Sequence, residues 1–199
     1  MKKLIQIISV GLCLAFASTL TAVSVGETAP DFTLEKLGGS EVSLSSLRGQ
    51  YVVLEWTNPG CPFVKKFYEA GAMQAFQKEA EAMGVTWVSI NSTPPDHRQY
   101  IDPAATESYY EEKGVESIWL FDSDGTVGKS YSARTTPHCF VINPEGVIVY
   151  AGAIDDQKST DPSSLEGANN YVMAALKSSM KGEPIAEERT RPYGCSIKY

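Results

Sequence analysis

The cysteine at position 61 is the residue whose type and surroundings point most directly to chemistry. It follows an Asn-Pro-Gly turn at 58–60, and Pro62 comes directly after it. Proline suits the first position of a helix, because its missing N–H would have no partner there. A cysteine at this junction faces unpaired N–H groups and the positive end of the helix dipole, which favour a thiolate. With Lys65 and Lys66 one turn further on, Cys61 is predicted to be nucleophilic; the alternative is a buried structural cysteine.

Three further cysteines bear on what Cys61 could react with. Cys13 lies in an apolar N-terminal segment that does not match a lipidation motif. Cys139 lies in an apolar run, where packing in the core is the expected role, since free cysteine is among the most buried residue types. Cys195 follows a glycine that would let the backbone approach another loop closely. No pair has the short spacing of a zinc or copper site, so no metal and no cofactor is predicted.

One acid, Glu55, stands at the end of the apolar run that precedes the Cys61 turn. Burial of a carboxyl disfavours its charged form and raises its pKa towards the range in which it exchanges protons at neutral pH. The alternatives are an acid exposed at a strand end, or an ion pair with Lys65 or Lys66. Glu55 is therefore a candidate for proton transfer with these two alternatives open.

The rest of the sequence predicts the elements that would hold these residues. Alternating apolar residues from Phe32 to Leu44 around a Gly-Gly turn predict a β-hairpin, and 51–54 predicts a strand buried on both faces. Further strands are predicted over 85–90, 118–121, 138–142 and 147–151, and helices over 62–83, 106–113, 126–132 and 163–181, before an irregular tail at 182–199. Strands that alternate with helices and end in a hairpin indicate one α/β domain with a mixed sheet over 25–199.

Residues 1–24 have the composition of a secretory signal. Lys2 and Lys3 precede an apolar run from Leu4 to Phe16, and small residues follow it. Cleavage is expected after Ser24, or else after Ala17. An uncleaved anchor is the alternative, but the run is short for a membrane span, which takes about 20 residues. We therefore expect an exported protein in a bacterial periplasm, where thiols are kept oxidised.

Composition narrows the classes of function. The chain has 199 residues, of which 43% are hydrophobic and 21% charged, with a net charge of −7. These values exclude collagen-like, low-complexity and disordered chains. Without residues 1–24, 15 basic residues would stand against 24 acidic ones, a net charge of −9. Such an acidic chain is a poor candidate for binding nucleic acid through its phosphates.

Several motifs, in order, resemble those of the thioredoxin-like redoxins, which include the AhpC/TSA peroxiredoxins and periplasmic thioredoxin-like proteins. They are Gly-Glu-Thr-Ala-Pro-Asp-Phe-Thr-Leu at 26–34, the strand and turn before Cys61, and a Thr-Pro pair at 136–137 before a strand. The resemblance covers residues 25–155 and implies a thioredoxin-like fold with an N-terminal β-hairpin extension. It implies that Pro137 is a cis-proline packed against Cys61, with nearby backbone groups free to pair with a substrate's extended chain. It also implies that Glu55 accepts and returns the proton of the thiol.

The departures from these families shape the expected mechanism. The usual Cys-x-x-Cys is here Cys-Pro-Phe-Val, so Val64 replaces the second thiol that would close a disulfide. Cys61 therefore works alone or is resolved by a distant cysteine, for which Cys195 and Cys139 are the two candidates. Similarity to redoxins with a lone Cys-Pro motif and a Gly-Cys-Ser-Ile-Lys ending implies that Cys195 resolves it, with a free or intermolecular thiol as the alternative. The peroxiredoxin pattern Pro-x-x-x-Thr-x-x-Cys is absent, since Thr57 lies four residues before Cys61 instead of three.

The function expected from this resemblance is that of a thiol-dependent oxidoreductase. Cys61 attacks a disulfide or a peroxide, Cys195 resolves the intermediate, Glu55 carries the proton and Pro137 shapes the substrate groove. The alternatives are a one-cysteine peroxidase that uses an external thiol, and a non-catalytic thioredoxin-fold binding protein. The expected partners are protein thiols or disulfides or a peroxide, and a thiol electron donor. No nucleic acid and no stable membrane span is expected.

Overall fold

A computed structural model of the chain describes residues 23–199, so the predicted signal segment lies almost entirely outside the described residues. Seven strands form the main sheet, in the order β2-β1-β5-β4-β3-β7-β8. Their bounds are β1 (Thr33–Lys36), β2 (Glu41–Ser43), β3 (Val52–Trp56), β4 (Thr86–Asn91), β5 (Ile118–Phe121), β7 (His138–Ile142) and β8 (Ile148–Gly152). A separate pair consists of β6 (Thr135–Thr136) and β9 (Cys195–Ser196).

The central strand β3 leads the chain to the Cys61 turn. All five of its residues are buried, because protein packs on both faces of the sheet. This agrees with the burial predicted for the run at 51–54, although the strand begins one residue later and continues to Trp56. It pairs in parallel with β4 and antiparallel with β7, so the sheet is mixed and the predicted α/β class is confirmed. In this register Glu55 lies between Ser89 on β4 and Cys139 on β7.

The predicted N-terminal hairpin is also confirmed. Strands β1 and β2 pair antiparallel with Leu34 opposite Val42, and β1 joins the sheet through an antiparallel pairing with β5. The hairpin therefore extends one edge of the sheet, away from the strand that leads to the Cys61 turn.

Helices cover both faces of the sheet, and the sheet separates the core into two layers. They are α1 (Pro62–Glu69), α2 (Ala72–Ala82), α3 (Pro103–Lys113), α4 (Thr126–Ser130) and α5 (Tyr171–Met180). One layer joins α1, α2 and α5 to the face of β3 that carries Val53, and it includes Cys61 and Cys139. The other joins α4 and the N-terminal segment to the face that carries Leu54 and Trp56. No helix within residues 23–199 combines the length and apolar character that crossing a membrane requires.

The single helix predicted over 62–83 is wrong, because the chain breaks between α1 and α2. Gly71 adopts a left-handed backbone with φ of 71°, a conformation that favours glycine just after a helix end. The carbonyl of Tyr68, which the helix leaves unpaired, accepts hydrogen bonds from Gly71 N at 3.3 Å and Gln74 Nε2 at 3.0 Å. The break shortens the helix that begins at Cys61 to eight residues.

The closing helix predicted over 163–181 is wrong in its first half. A short 3-10 turn occupies Pro162–Leu165, and Gly167 takes a left-handed φ of 73° before α5 begins. Asn170 caps α5 by accepting a hydrogen bond from Met173 N at 3.0 Å. Other ends move by a few residues: α3 begins at Pro103 rather than 106, and α4 ends at Ser130 rather than 132.

The tail at 182–199 is not irregular throughout, which corrects a further prediction. Its strand β9 pairs with β6, and Tyr193 just before it is buried. Thr190 Oγ1 accepts a hydrogen bond from Ala153 N at 2.9 Å, and Tyr199 Oη donates to Ala133 O at 2.9 Å. Contacts along the tail therefore fix it across the end of the sheet where β6 and β7 begin.

Candidate functional site

Cys61 lies at the junction that its sequence predicts, as the residue that precedes α1. Its carbonyl accepts the first helical hydrogen bonds, from Val64 N at 3.0 Å and Lys65 N at 2.9 Å, and Pro62 occupies the first helical position. Asn58 shapes the turn by accepting from Gly60 N at 2.7 Å through its side chain and from Cys61 N at 2.9 Å through its backbone. The Cys61 side chain is held inside, only 1% exposed.

The sulfur of Cys61 contacts two atoms from distant parts of the chain. The thiol donates to the carbonyl of Thr136 at 3.0 Å, and the sulfur of Cys195 lies 2.7 Å away although 134 positions separate the two cysteines. Both are free thiols in this structure. A disulfide bond is about 2.05 Å long, so the two sulfurs lie within a short approach of bonding. The third thiol of the described region, Cys139, is not part of this contact.

Gly194 allows Cys195 to reach this position. Its backbone φ is 145°, and a Cβ placed there would lie 2.1 Å from the carbonyl oxygen of Thr136. Only glycine fits so close an approach, and the sequence prediction of a close contact at this residue is confirmed. Strand β9 then pairs Cys195 with Thr136 and Ser196 with Thr135. Burial raises the pKa of the Cys195 thiol, and the hydrogen bond with Cys61 adds to the rise.

Pro137 follows a cis peptide bond from Thr136, as the resemblance implies. The carbonyl that meets the Cys61 sulfur belongs to the residue just before this proline. One implication of the resemblance is altered here, because the neighbouring backbone groups are not free. Strand β9 pairs with Thr135 and Thr136, and Ile197 N donates to Arg134 O at 3.1 Å. The chain's own C-terminus therefore occupies the edge beside Pro137.

Glu55 is fully buried, so the alternative of an exposed acid is wrong. Its carboxyl accepts from Trp87 Nε1 at 2.9 Å, from Tyr68 Oη at 3.1 Å and from Ser89 Oγ at 3.4 Å. The ion pair with Lys66 is also wrong, because the Lys66 amine bonds to Asp155 and Gln157 instead. Burial raises the pKa of Glu55, and these hydrogen bonds oppose the rise only in part.

The Glu55 carboxyl and the Cys61 thiol lie on the same side of the sheet. Among the contacts of residues 23–199, no hydrogen bond joins them directly. Tyr68, which donates to Glu55, lies on the helix that begins at Cys61, and Cys139 lies opposite Glu55 in the sheet. Burial and the nearby Glu55 raise the pKa of Cys139 well above its usual value, so this cysteine stays a thiol. Its predicted place in the core is confirmed, since it is fully buried.

Replacing Glu55 by Gln is expected to stabilise the protein at neutral pH. A raised carboxyl pKa means that the folded chain holds the proton more tightly than the unfolded chain, so stability falls as pH rises through the interval between the two pKa values. Above that interval Glu55→Gln should raise the melting temperature by about 3 °C, or ~1 kcal/mol for a chain of this size. The difference should vanish near pH 4, where both side chains are neutral.

Thermal melts between pH 4 and pH 8 measure this effect, with Glu35→Gln on the exposed side of β1 controlling for loss of one charge. An equal benefit at pH 4 and pH 8 would contradict the ionisation account. The same two variants also test proton transfer, because Glu55→Gln should alter the pH dependence of Cys61 alkylation and Glu35→Gln should not.

His138 is buried on β7, next to Pro137. Its Nδ1 accepts from Arg134 N at 3.3 Å, and its ring lies 4.6 Å from the Phe140 ring. Burial lowers the pKa of His138 to about 3, and the nearby Arg134 adds to the shift. His138 is therefore neutral near pH 7 and supplies no positive charge that would stabilise a nearby thiolate.

The space left beside Cys61 is small, and both polar and apolar groups line it. The cavity measures about 10 Å³, which is room for about one water molecule. Its walls include Asn58, Thr93, Thr136 and Cys195. With β9 in place, a substrate larger than water does not reach the Cys61 sulfur. Among residues 23–199, no cluster of three or more His, Cys, Asp or Glu side chains could hold a metal ion.

Sequence reasoning missed two parts of the site. The Thr136 carbonyl has no side-chain signal, because its position depends on the backbone path before Pro137. A buried group of Lys66, Asp155 and Tyr193 joins α1 to the tail, yet these residues lie far apart in the sequence. The sequence signals for it were a lysine within an otherwise apolar helix face and an aromatic residue near Cys195.

Sequence comparison relates the chain to two kinds of redoxin. The profile of the AhpC/TSA family matches residues 25–151. The Bacillus subtilis (strain 168) protein named thiol-disulfide oxidoreductase ResA is 30% identical over 128 residues, which cover 64% of this chain and 66% of that protein. A Helicobacter pylori (strain J99) bcp protein, whose name assigns it to the peroxiredoxins, is 28% identical over 145 residues, covering 63% of this chain and 85% of that protein.

Structure comparison gives a likeness over a larger share of the chain. A conserved protein from Geobacillus kaustophilus superposes with a TM-score of 0.78 at 28% identity, covering 88% of this chain and 92% of its own. A Sinorhizobium meliloti 1021 protein shares the fold with a TM-score of 0.76 at 24% identity, covering 90% and 96%. The family match covers more than half of the sequence, and relatives of both kinds depend on thiol chemistry. The chain therefore belongs to the AhpC/TSA family, and as a thioredoxin-like redoxin it is a thiol-dependent oxidoreductase.

Proposed function

We propose that Cys61 and Cys195 are the redox pair of this enzyme and that its substrate is a disulfide. The Cys61 thiolate attacks one sulfur of the substrate disulfide, which forms a mixed disulfide and releases one substrate thiolate. The Cys195 thiolate then attacks the Cys61 sulfur, forms the Cys61–Cys195 disulfide and releases the second substrate thiolate. The substrate gains two electrons, the protein loses two, and an external thiol donor restores the reduced pair.

The observation that carries this proposal is the distance of 2.7 Å between the Cys61 and Cys195 sulfurs. Val64 occupies the position at which a Cys-x-x-Cys motif has its second thiol, and it is fully buried. Cys195 approaches from the tail instead, on a strand paired with the backbone beside Pro137. A remote thiol thus takes over the role that Val64 cannot perform.

Glu55 and Pro137 complete the proposed machinery. Glu55 accepts the proton of the attacking thiol and returns it to a leaving thiolate, a role supported by its burial and by the raised pKa of its carboxyl. Pro137 shapes the groove, and the Thr136 carbonyl before it orients the Cys61 thiol at 3.0 Å. When β9 leaves its place, the backbone of Thr135 and Thr136 becomes available to an extended substrate chain.

A hydroperoxide is the second candidate substrate, favoured by the likeness to the bcp protein. The Cys61 thiolate would attack the peroxide oxygen, forming a sulfenic acid and an alcohol or water. Cys195 would then displace water from that sulfenic acid and form the same disulfide. The two routes differ in the substrate consumed, so assays of disulfide reduction and peroxide loss separate them.

The place of action is also a proposal. Residues 1–24 act as a cleaved export signal, and 25–199 form the mature domain in a bacterial periplasm. The positive start, the apolar run and the small residues before position 25 support this assignment. The mass of the protein recovered from the periplasm of an expressing bacterium tests it, because cleavage after Ser24 removes 24 residues.

The redox pair is tested by trapping its intermediate. With glutathione disulfide as substrate, the wild-type protein should yield a Cys61–Cys195 disulfide in peptide mass mapping. Cys195→Ser should instead accumulate glutathione on Cys61, because no thiol remains to resolve the mixed disulfide. Its multiple-turnover rate should fall by at least about 10-fold. If Cys195 stays free in the oxidised wild type, the proposed pairing is wrong. If Cys61 does not react at all, a non-catalytic thioredoxin-fold binding protein is the better interpretation.

A further inference from the structure

A buried polar group joins α1, the helix that follows Cys61, to the segment that carries Cys195. We call Lys66, Asp155 and Tyr193 the Tyr193 cluster. Lys66 is 1% exposed on α1, and its amine lies 3.2 Å from the Tyr193 hydroxyl and 3.5 Å from Asp155 Oδ2. The amine also donates to the Gln157 carbonyl at 2.8 Å. The Tyr193 hydroxyl in turn donates a short hydrogen bond to Asp155 Oδ1.

The ring of Tyr193 is held as firmly as its hydroxyl. It packs against the Phe63 ring of α1 at an angle of 65°, with ring centres 5.8 Å apart. The Lys66 amine lies 5.4 Å from the Tyr193 ring centre, within the range of a cation–π contact. The side chain therefore joins the tail to the first two turns of α1, next to Cys61.

Stability alone does not account for charges in this position. Taking a lysine and an aspartate out of water costs free energy that their attraction often fails to offset, so a buried ion pair is a weak stabiliser. Burial lowers the pKa of Lys66 while the nearby Asp155 raises it. The structural effect of the cluster is specific: it fixes the backbone two residues before Cys195.

The backbone between Tyr193 and Cys195 is constrained, so fixing Tyr193 also restricts where Cys195 can lie. Gly194 passes the Thr136 carbonyl too closely for any side chain, and Cys195 then pairs with Thr136 beside Pro137. Once Tyr193 is fixed, few positions remain available to the sulfur of Cys195, and in the observed one it lies 2.7 Å from the Cys61 sulfur.

We propose that Tyr193, held by Lys66 and Asp155, is the positioning residue that sets Cys195 against Cys61. This inference rests on the proposed redox pair. Tyr193 acts through the two residues that follow it. When β9 moves aside to admit a substrate, the anchor at Tyr193 limits the moving arm to residues 194–199. Cys195 then returns to the mixed disulfide on Cys61, attacks the Cys61 sulfur as a thiolate and releases the substrate thiolate.

Tyr193→Phe tests the proposal with the smallest possible change. Phenylalanine keeps the ring contact with Phe63 and leaves Lys66 and Asp155 to pair with each other, so neither charge is stranded in the core. The variant and the wild type are equilibrated in buffers of reduced and oxidised glutathione, then quenched in acid. Mass spectrometry gives the fraction that carries the Cys61–Cys195 disulfide. We expect its equilibrium constant to fall about 10-fold, which raises the midpoint potential by about 30 mV.

Tyr51→Phe is the matched control, since its hydroxyl bonds only to Ser179 Oγ at 3.0 Å in the described contacts. Its equilibrium constant should stay within about twofold of the wild type. A purely structural role for Tyr193 would weaken the oxidised and reduced proteins equally and leave the constant unchanged, which would overturn the proposal. If Tyr193→Phe does not fold, Phe63→Leu is the second test, because it removes the ring contact from the α1 side. It should also lower the equilibrium constant of the Cys61–Cys195 disulfide.

The redox pair and the positioning role of Tyr193 are distinguished by different outcomes. If the wild type forms no Cys61–Cys195 disulfide in any glutathione buffer, the redox pair itself is wrong and the positioning role falls with it. If the wild type forms that disulfide and Tyr193→Phe matches its equilibrium constant, the redox pair stands and only the positioning role is wrong.

Discussion

Gly194→Ala is expected to lower the equilibrium constant of the Cys61–Cys195 disulfide by about 100-fold. A Cβ at this position would lie 2.1 Å from the Thr136 oxygen and 2.7 Å from the Thr136 carbon, so the backbone must move away. The φ of 145° adds strain, because residues other than glycine rarely adopt it and strain of this kind costs about 1–3 kcal/mol. About 3 kcal/mol corresponds to roughly a 100-fold change in an equilibrium constant. Redox titration in glutathione buffers measures it.

Gly182→Ala provides a matched control from the same tail. Gly182 also has a positive φ, of 69°, but a Cβ there would meet nothing within 4 Å. It should therefore show the backbone strain without the collision, and the disulfide constant should change by less than about threefold. Equal effects of the two substitutions would mean that contact with Thr136 does not hold Cys195 in place. The core should remain folded in both, since neither residue lies within the main sheet.

Cys61→Ser should abolish turnover with either candidate substrate, by at least about 1,000-fold. The serine hydroxyl fits the space of the thiol and keeps a donor for the Thr136 carbonyl, but it is not ionised at neutral pH and is a poor nucleophile. Reduction of glutathione disulfide and consumption of hydrogen peroxide are the two assays. Loss of one activity alone would show that the other does not depend on Cys61.

The control for this loss is Cys139→Ala. Cys139 is fully buried with its pKa raised well above the usual value, so it cannot supply a reactive thiolate. Its removal should leave both activities within about twofold of the wild type. Activity that survives Cys61→Ser but falls with Cys139→Ala would reverse the assignment. If wild type and both variants are equally inactive, a thioredoxin-fold binding protein becomes the better interpretation.

The local parts of the site could be predicted from the sequence because short-range chemistry determines them. An apolar run, an Asn-Pro-Gly turn and a Cys-Pro pair are enough to place Cys61 at the start of a helix. The position of Glu55 at the end of the apolar run before the Cys61 turn made it a candidate for burial, but an exposed acid and an ion pair stayed open until the structure showed its neighbours on β4 and β7. The hairpin of β1 and β2 follows from alternation and a glycine turn. For the Cys61 turn and the hairpin, the residues that decide the outcome lie within a few positions of one another.

The parts that failed depend on contacts across the fold. The break at Gly71 was missed because glycine is tolerated inside helices. The left-handed φ of Gly71 and the bonds from Gly71 N and Gln74 Nε2 to the Tyr68 carbonyl distinguish the helix end from an interior, and the sequence shows none of them. The tail was predicted irregular because a two-residue strand such as β9 has no period of its own. Its pairing with β6 joins residues far apart in the sequence, and Tyr193 just before it contacts Lys66, 127 positions earlier.

The pairing of β9 with β6 has a further consequence for any macromolecular partner. A chain that docks beside Pro137 must compete with a strand that is already tethered to the same molecule. Short tethers give such a competitor an effective concentration in the millimolar range, independent of how much enzyme is present. A partner present at micromolar levels must therefore bind that edge far more tightly than β9 does, because β9 is paired there even while both cysteines are free thiols. A Cys61–Cys195 disulfide would add a covalent bond to that pairing, so oxidation of the pair favours β9 over the partner.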